Sequence, residues 1–279
     1  MKVIHTIAAL QMQLEPVNAA NQKIALVPTM GALHPGHVSL IKAAQQIADF
    51  VVCSVFVNPT QFTDPKDLEK YPRPVEHDIR MLEEAGCDLV FMPSVTEMYP
   101  QQEQWHIDLG SAEFLLEGAY RKGHYQGVTQ IVKKLFDAVQ PHKALFGQKD
   151  YQQVLMIQNM VQYFKLPIEI VTCPIIREQD GLAMSSRNIH LSAADREHAL
   201  VLSRALDFVK TNFEQQSVEA LEAQASAMIR ETPGVELDYF TIVDGTTLEP
   251  QEDKQAKNLV ALVAAKVGHT RLIDNMLLS

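Results

Sequence analysis

The sequence predicts an α/β protein in which a parallel sheet, residues 1–183, is followed by a smaller α+β domain, residues 184–279. Residues 24–27 are an unbroken apolar run. Val38, Leu40, Ile41, Ala44, Ile47 and Ala48 then recur at helical spacing, and residues 51–57 form a second apolar run rich in β-branched side chains. This is a β-α-β unit, whose crossover is right-handed and whose strands are parallel. Apolar runs at 89–92, 143–146 and 168–171 continue the alternation with helical segments. Beyond Met184, two helices precede three strands with no such alternation, which predicts a separate layer.

The 279 residues are 47% hydrophobic and 21% charged, enough for two domains and a sizeable core. A formal net charge of −10 speaks against nucleic acid as the main partner. It leaves room for small anionic substrates, because only the site itself needs positive potential. Cys53, Cys87 and Cys173 are far apart and include no Cys-x-x-Cys pair, so they read as buried thiols of a reducing compartment. The first residues carry no long apolar stretch, and no span approaches about 18 uninterrupted apolar residues. A cytoplasmic protein with no membrane partner is expected.

Taken in order, the first informative stretch is the loop Val27-Pro28-Thr29-Met30-Gly31-Ala32-Leu33-His34-Pro35-Gly36-His37. A helix opens near Pro35 or Gly36, and its unpaired N–H groups and macrodipole favour an anion such as phosphate. His34 and His37, three apart, can both turn toward that anion. A metal would need a third ligand that the spacing does not supply, and two ordinary surface histidines would show the same pattern. After the 51–57 strand, Asn58-Pro59-Thr60-Gln61-Phe62 is a polar turn at the edge where open α/β sheets bind ligands. Gln61 is there either a ligand contact or a plain loop residue.

Residues 63–74 suit an exposed loop, 75–85 a helix stopped by Gly86, 89–92 the third strand, 107–109 a short strand and 114–118 a short helical piece. The stretch 121–128 is basic and glycine-punctuated, either anion-facing or merely solvated, and leads into a helix from about Thr129 to Val139. The strand at 143–146 runs into Gly147-Gln148-Lys149-Asp150. Glycine permits close backbone approach, lysine offers a point charge for phosphate, and Asp150 suits Mg²⁺, a ribose or an N-cap. That helix is expected to run to Phe164, and a strand at 168–171 leads into a segment whose end, Met184-Ser185-Ser186-Arg187, gathers two hydroxyls and a guanidinium suited to phosphate oxygens. Ser192 and Ser217 open helices to about Lys210 and Arg230, and 236–243, 259–264 and 270–274 read as strands.

His-x-Gly-His after an early strand, here His34-Pro35-Gly36-His37, resembles the signature of the nucleotidyltransferase superfamily. The Met184–Arg187 tetrapeptide is similar to the mobile phosphate-clamping loop of class I aminoacyl-tRNA synthetases and their relatives. Blocks at 28–37, 57–62, 71–73, 97–100, 123–128, 146–153, 180–188 and 270–275, in one order along nearly the whole chain, resemble the pantothenate synthetase (pantoate–β-alanine ligase) family. The resemblance implies ATP-dependent condensation of (R)-pantoate with β-alanine through a pantoyl-adenylate, with release of AMP and pyrophosphate. It further implies that residues 1–183 are a Rossmann-like nucleotide- and pantoate-binding domain and residues 184–279 a C-terminal α+β lid domain, together with a Mg²⁺ requirement and a homodimer.

By position it implies an ATP site of Met30, Gly31, Ala32, Leu33, His34, Pro35, Gly36, His37, Gly147, Gln148, Lys149, Asp150, Ile176, Met184, Ser185, Ser186 and Arg187. His37 is the family's proton donor and His34 a phosphate contact, with Lys149 and Arg187 beside them as catalytic cations. Gln61 and Gln153 are implied to hold pantoate, Gln61 also to lie near β-alanine, and Asp150 to serve the metal. Gln148, Pro74 and Asp64-Pro65-Lys66 depart from the family's usual glutamate, threonine and acidic loop. The chemistry fits these residue types. A carboxylate attacking a triphosphate meets charge repulsion, so donors and cations must neutralise the phosphates, and the substrate supplies its own nucleophile. Another nucleotidyltransferase would share His34 and His37 without a reason for paired glutamines; a non-catalytic nucleotide sensor would not need Lys149 and Arg187 together; a metal hydrolase is a third reading.

Overall fold

In the computed structural model, which describes residues 1–278, the strands form two separate sheets. The chain falls into two units, Met1–Gly147 with Gln153–Pro174, and Gln148–Gln152 with the chain from Ile175 on. The second thus takes in the short piece after Gly147 and begins in earnest nine residues before Met184.

The first unit runs β1 (Lys2–Ile4), α1 (Ile7–Ala19), β2 (Ile24–Thr29), α2 (Pro35–Ile47), β3 (Phe50–Val55), α3 (Pro65–Lys70), α4 (Val75–Ala85), β4 (Leu89–Phe91), α5 (Val95–Met98), α6 (Leu116–Tyr120), α7 (His124–Val139) and β5 (Lys143–Gly147). It ends with α8 (Tyr151–Tyr163), whose first two residues fall in the second unit, and β6 (Glu169–Cys173). All six strands are parallel in the order β1-β4-β3-β2-β5-β6. Ile24, Ala25, Leu26 and Val27 are fully buried, as a central parallel strand covered on both faces must be. From β2 the chain goes to β3 and β4 on one side and returns to β5 on the other. Strand order reverses beside β2, so the crevice at its carboxyl end is the expected ligand position.

Several local features differ from the sequence reading, among them α1 and α5, helices where it assigned none. Lys2–Ile4 is an edge strand in register with Leu89–Phe91, too short to show a period. α3 lies inside the expected 63–74 loop because Asp64 accepts the Lys66 N–H (2.9 Å) and Pro65 takes the first helical position. Residues 107–109 are not a strand: the Ile107 N–H and carbonyl are both taken by the Gln126 side chain (3.1 and 2.9 Å), which leaves no ladder to build. α7 begins at His124, earlier than Thr129, after Gly123 turns the chain at φ +78°.

The second unit has 3-10 turns at Gln148–Asp150 and Ser186–His190, then α9 (Ala193–Asn212), α10 (Val218–Arg230) and the antiparallel sheet β7 (Val235–Asp244), β8 (Leu259–Val267) and β9 (Thr270–Leu277). Ser192 accepts the Asp195 N–H (3.1 Å) and Ser217 the Ala220 N–H (3.2 Å), the N-caps expected at both serines. The two helices bury Leu202, Leu206, Leu221 and Ile229 against Ile242, Leu259 and Val263 of the sheet. Among the described residues no helix is long and apolar enough to cross a membrane.

Candidate active site

The loop that leaves β2 is fixed from beneath by one carboxylate. Asp78, on α4 and 1% exposed, accepts the Ala32 N–H at Oδ2 (2.9 Å) and the Leu33 N–H at Oδ1 (2.8 Å). Gly31 and Ala32 adopt left-handed φ values of +79° and +50° to bring those two N–H groups round. A Cβ on residue 31 would sit 2.8 Å from Asp78 Oδ2, so glycine is required twice over. Thr29 Oγ1 closes the turn, accepting from the Gly31 N–H (3.2 Å) and donating to the Ser54 carbonyl (2.7 Å).

Pro35 then occupies the first position of α2 and His34 is its N-cap. His34 Nδ1 accepts the Gly36 N–H (3.2 Å), and His37 Nδ1 accepts the His34 N–H (3.3 Å). Both rings use Nδ1 as an acceptor, so each neutral imidazole carries its proton on Nε2. The rings lie 4.1 Å apart, tilted by 42°. The α2 N-terminus thus pairs a positive helix end with two side-chain donors of assigned tautomer, which suits polyanionic oxygen.

A second polar group follows β3. Gln61 is 8% exposed; its Oε1 accepts from Asn58 Nδ2 (3.1 Å) and its Nε2 donates to the Met30 thioether (3.1 Å). Sulfur is a weak acceptor, so that donor exchanges readily for a substrate oxygen. Asn58, 1% exposed, also donates to the Gly127 carbonyl (3.1 Å) and accepts from the Tyr99 hydroxyl (2.7 Å). Burial pushes Tyr99 up to about 12, with the Thr60 hydrogen bond opposing and Glu103 adding, so the phenol remains a donor. His124 contacts the Gln61 carbonyl through Nδ1 (2.8 Å) and Arg121 through Nε2 (3.0 Å). A guanidinium can only donate, which puts the His124 proton on Nδ1. Gly127 lets α7 lie on the Thr60 and Gln61 backbone, where a Cβ would collide with the Thr60 carbonyl. Gln153 lies half-buried on α8, and Gly147 ends β5.

In the second unit, Gln148 and Lys149 are partly buried in the 148–150 turn and Asp150 is exposed. Asn275, 2% exposed, donates through Nδ2 to the Gln148 and Lys149 carbonyls (both 3.0 Å) and accepts from Gln148 Nε2 (3.0 Å). Arg177 forms a bidentate pair with Asp274 (2.6 and 3.1 Å) and donates to the Gly181 carbonyl (3.2 Å). Ile176 is exposed; Met184, Ser185, Ser186 and Arg187 are partly buried; and Ser185 Oγ accepts the Arg187 N–H (3.2 Å). Asn188 and Arg196 hold the loop through Glu178 (2.8 and 2.6 Å), and Arg196 also reaches Asp180 (2.8 Å). Among the described residues no three His, Cys, Asp or Glu side chains gather as a metal cage.

Asp78, Asn58, His124 and Asn275 are the supporting residues to which sequence reasoning gave no role. Asp78 left a trace: with Leu82 and Ala85 it stands at the helical spacing of the buried stripe of α4, a carboxylate where an apolar side chain belongs. Nothing in the spacing of the other three marked them.

The family model for pantoate-beta-alanine ligase matches residues 2–277. The pantothenate synthetase of Bacteroides thetaiotaomicron is 48% identical over 277 residues, covering 99% of this chain and 98% of the relative, and that of Acetivibrio thermocellus is 44% identical with 99% of both covered. Among solved structures, pantothenate synthetase from Thermus thermophilus superposes with a TM-score of 0.93 at 42% identity over 99% of both chains. Pantoate-beta-alanine ligase from Francisella tularensis, complexed with beta-gamma ATP and beta-alanine, gives 0.79 at 33% identity over 99% of this chain and 97% of that one. With the family model covering almost every residue and the parallel sheet and antiparallel sheet both in place, the chain belongs to the pantoate–β-alanine ligase family.

Proposed function

We propose that the chain condenses pantoate with β-alanine at the expense of ATP, in two half-reactions linked by a pantoyl-adenylate. The observation that carries this reading is the pair of imidazoles at the α2 N-terminus, both with Nδ1 engaged by backbone N–H groups and the ring proton on Nε2. In this reading the ATP phosphates lie at the turn formed by Met30, Gly31, Ala32, Leu33, His34, Pro35, Gly36 and His37. A pantoate carboxylate oxygen attacks the α-phosphorus, and the bond from that phosphorus to the α,β-bridging oxygen breaks, so pyrophosphate leaves. His34 and His37 Nε2–H groups donate to phosphate oxygens that gain charge as the pentavalent state forms. Lys149 and Arg187, with the Ser185 and Ser186 hydroxyls, draw charge onto the departing pyrophosphate. In the second half-reaction the neutral β-alanine amine attacks the acyl carbon, the bond from that carbon to the phosphate oxygen breaks so that AMP leaves, and the nitrogen gives up a proton to solvent as the amide forms.

Gln61 and Gln153 would hold pantoate. Gln61 supports this role because its amide is oriented by Asn58 while its Nε2 is spent on the Met30 sulfur. Uncharged amides suit hydroxyl and carboxylate oxygens, and Gln61 would also face β-alanine. Mg²⁺ is read as arriving with the triphosphate, since this ion is commonly held by one or two carboxylates and substrate phosphates and needs no all-protein cage. Exposed Asp150 would supply an oxygen, and the ion, when bound, neutralises phosphate charge. A homodimer in the cytoplasm completes the reading.

The test is isotope exchange. Labelled pyrophosphate should enter ATP when pantoate is present and β-alanine absent, and should stop entering when pantoate is withheld. Oxygen label from the pantoate carboxylate should appear in AMP. Its appearance in inorganic phosphate, with ADP as co-product, would refute the adenylate.

A further inference from the structure

The block Thr270-Arg271-Leu272-Ile273-Asp274-Asn275 took part in the resemblance but received no role from it. It lies on β9, and its last two side chains are 4% and 2% exposed, unusual for a carboxylate and an amide. Successive side chains of a strand leave opposite sides, so neighbours 274 and 275 can hold two different segments. They do. Asn275 uses every polar atom of its amide on the 148–150 turn: Nδ2 bridges the carbonyls of Gln148 and Lys149, and Oδ1 receives Gln148 Nε2. Asp274 receives both Arg177 nitrogens, and Arg177 in turn holds the Gly181 carbonyl at the base of the loop that carries Ser185, Ser186 and Arg187.

We infer that Asp274 and Asn275 are positioning residues for the adenylation step: Asn275 sets the backbone from which Lys149 projects, and Asp274, through Arg177, sets the base of the loop that presents Arg187. The inference rests on the reading of Lys149 and Arg187 given above. Lys149 has a long flexible stem, and fixing the peptide groups on both sides of its Cα removes the backbone part of that freedom. A displacement of about 1 Å at a charge-stabilising group costs on the order of 100-fold in rate. A buried, satisfied amide could also serve stability alone, and the two roles separate in a double-mutant cycle.

Asn275→Asp keeps the volume and the acceptor for Gln148 but turns an oxygen toward two carbonyl oxygens. Pantoate-dependent pyrophosphate exchange should fall by roughly 100-fold in Asn275→Asp. In a Lys149→Ala background the same change should cost only a few-fold, because the group it positions is gone. Asp274→Asn against Arg187→Ala should show the same loss of additivity. Thermal melts establish that each variant is folded, and if Asn275→Asp fails to melt cooperatively, Asn275→Ser, which leaves both carbonyls to water, carries the cycle. Full additivity, or parent-like exchange in folded Asn275 variants, would overturn the inference while leaving Lys149 in place. Parent-like exchange in Lys149→Ala would instead remove the reading of Lys149, and the Asn275 inference with it.

Discussion

The turn at residues 30–37 and the loop at residues 177–188 both offer hydrogen-bond donors suited to phosphate, but they are held in opposite ways. The turn rests on Asp78, a buried carboxylate bonded to two consecutive backbone N–H groups, and on two residues in left-handed conformation; its far end is locked as the start of a helix. At its base the loop is held by Arg177 on buried Asp274, but beyond that base it is tied by ion pairs whose members are partly in water: Arg196 is 34% exposed, Glu178 29% and Asp180 33%. Pairs exposed to that degree contribute about 0–1 kcal/mol each, on the scale of thermal energy. The first device is therefore shaped before any ligand arrives, while the second, beyond its base at Arg177, can rearrange at small cost. That division suits a reaction in which phosphate must be received at a fixed point and released afterwards.

The contrast is broken most directly at Asp78. Asp78→Ala strips the acceptor from two N–H groups in a buried turn, each worth about 1–3 kcal/mol when left unmet. Denaturant unfolding should show a loss of about 3 kcal/mol or more. A loss under about 1 kcal/mol would mean the turn holds its shape without the carboxylate.

Next in size is His37. His37→Ala should fold and yet lose at least about 2 kcal/mol of transition-state stabilisation, the scale of one preorganised donor. The tautomer assignment sharpens the test. Asparagine reaches the Nδ1 position and can keep the cap, whereas glutamine reaches toward Nε2. His37→Asn should therefore retain more stability and His37→Gln more kcat. The reverse ranking would place the ring proton on Nδ1.

How far this was legible in the sequence follows the same contrast. Val27 to His37 shows itself because strand, turn glycine, helix-opening proline and paired histidines are local signals that agree with one another. The central strands and the serine-capped helices were legible for the same reason. Asn275 and Lys149 are more than a hundred residues apart, and no periodicity announces that an amide on a late strand will bridge the carbonyls of an early turn. The supposed strand at 107–109 fails on the same ground: its backbone groups are claimed by Gln126, a partner nineteen residues away.

Smaller and more selective effects are expected where the ligand contact is a neutral amide. Gln153→Ala and Gln61→Ala should weaken pantoate by about 1 kcal/mol each, the scale of an ordinary hydrogen bond, and leave ATP nearly unchanged. Calorimetric titration of each ligand separates the two. An ATP-selective loss would remove both residues from the pantoate site.

The smallest effect should be confined to the loop at 177–188. Arg196, hydrogen-bonded to Glu178 and helped by Asn188, holds the Glu178 carboxyl below the usual glutamate range against its partial desolvation. Asp180 is also lowered: the Leu182 N–H and Arg196 outweigh its desolvation. A carboxylate with a depressed folded-state pKa contributes stability that is complete above its unfolded value and is lost as pH falls through the folded one. For Glu178 the contribution should thus be whole at pH 7, begin to fade below about pH 4.3, and vanish once the folded-state carboxyl is protonated. At neutral pH, Arg196→Gln should reproduce the low-pH state by removing the shared partner. Amide exchange at 178–188 should then quicken several-fold, while Ala32 and Leu33, held by Asp78, keep their parent rates. Faster exchange at both places would show that the turn and the loop open together, and the distinction between a fixed receiver and a yielding clamp would fail.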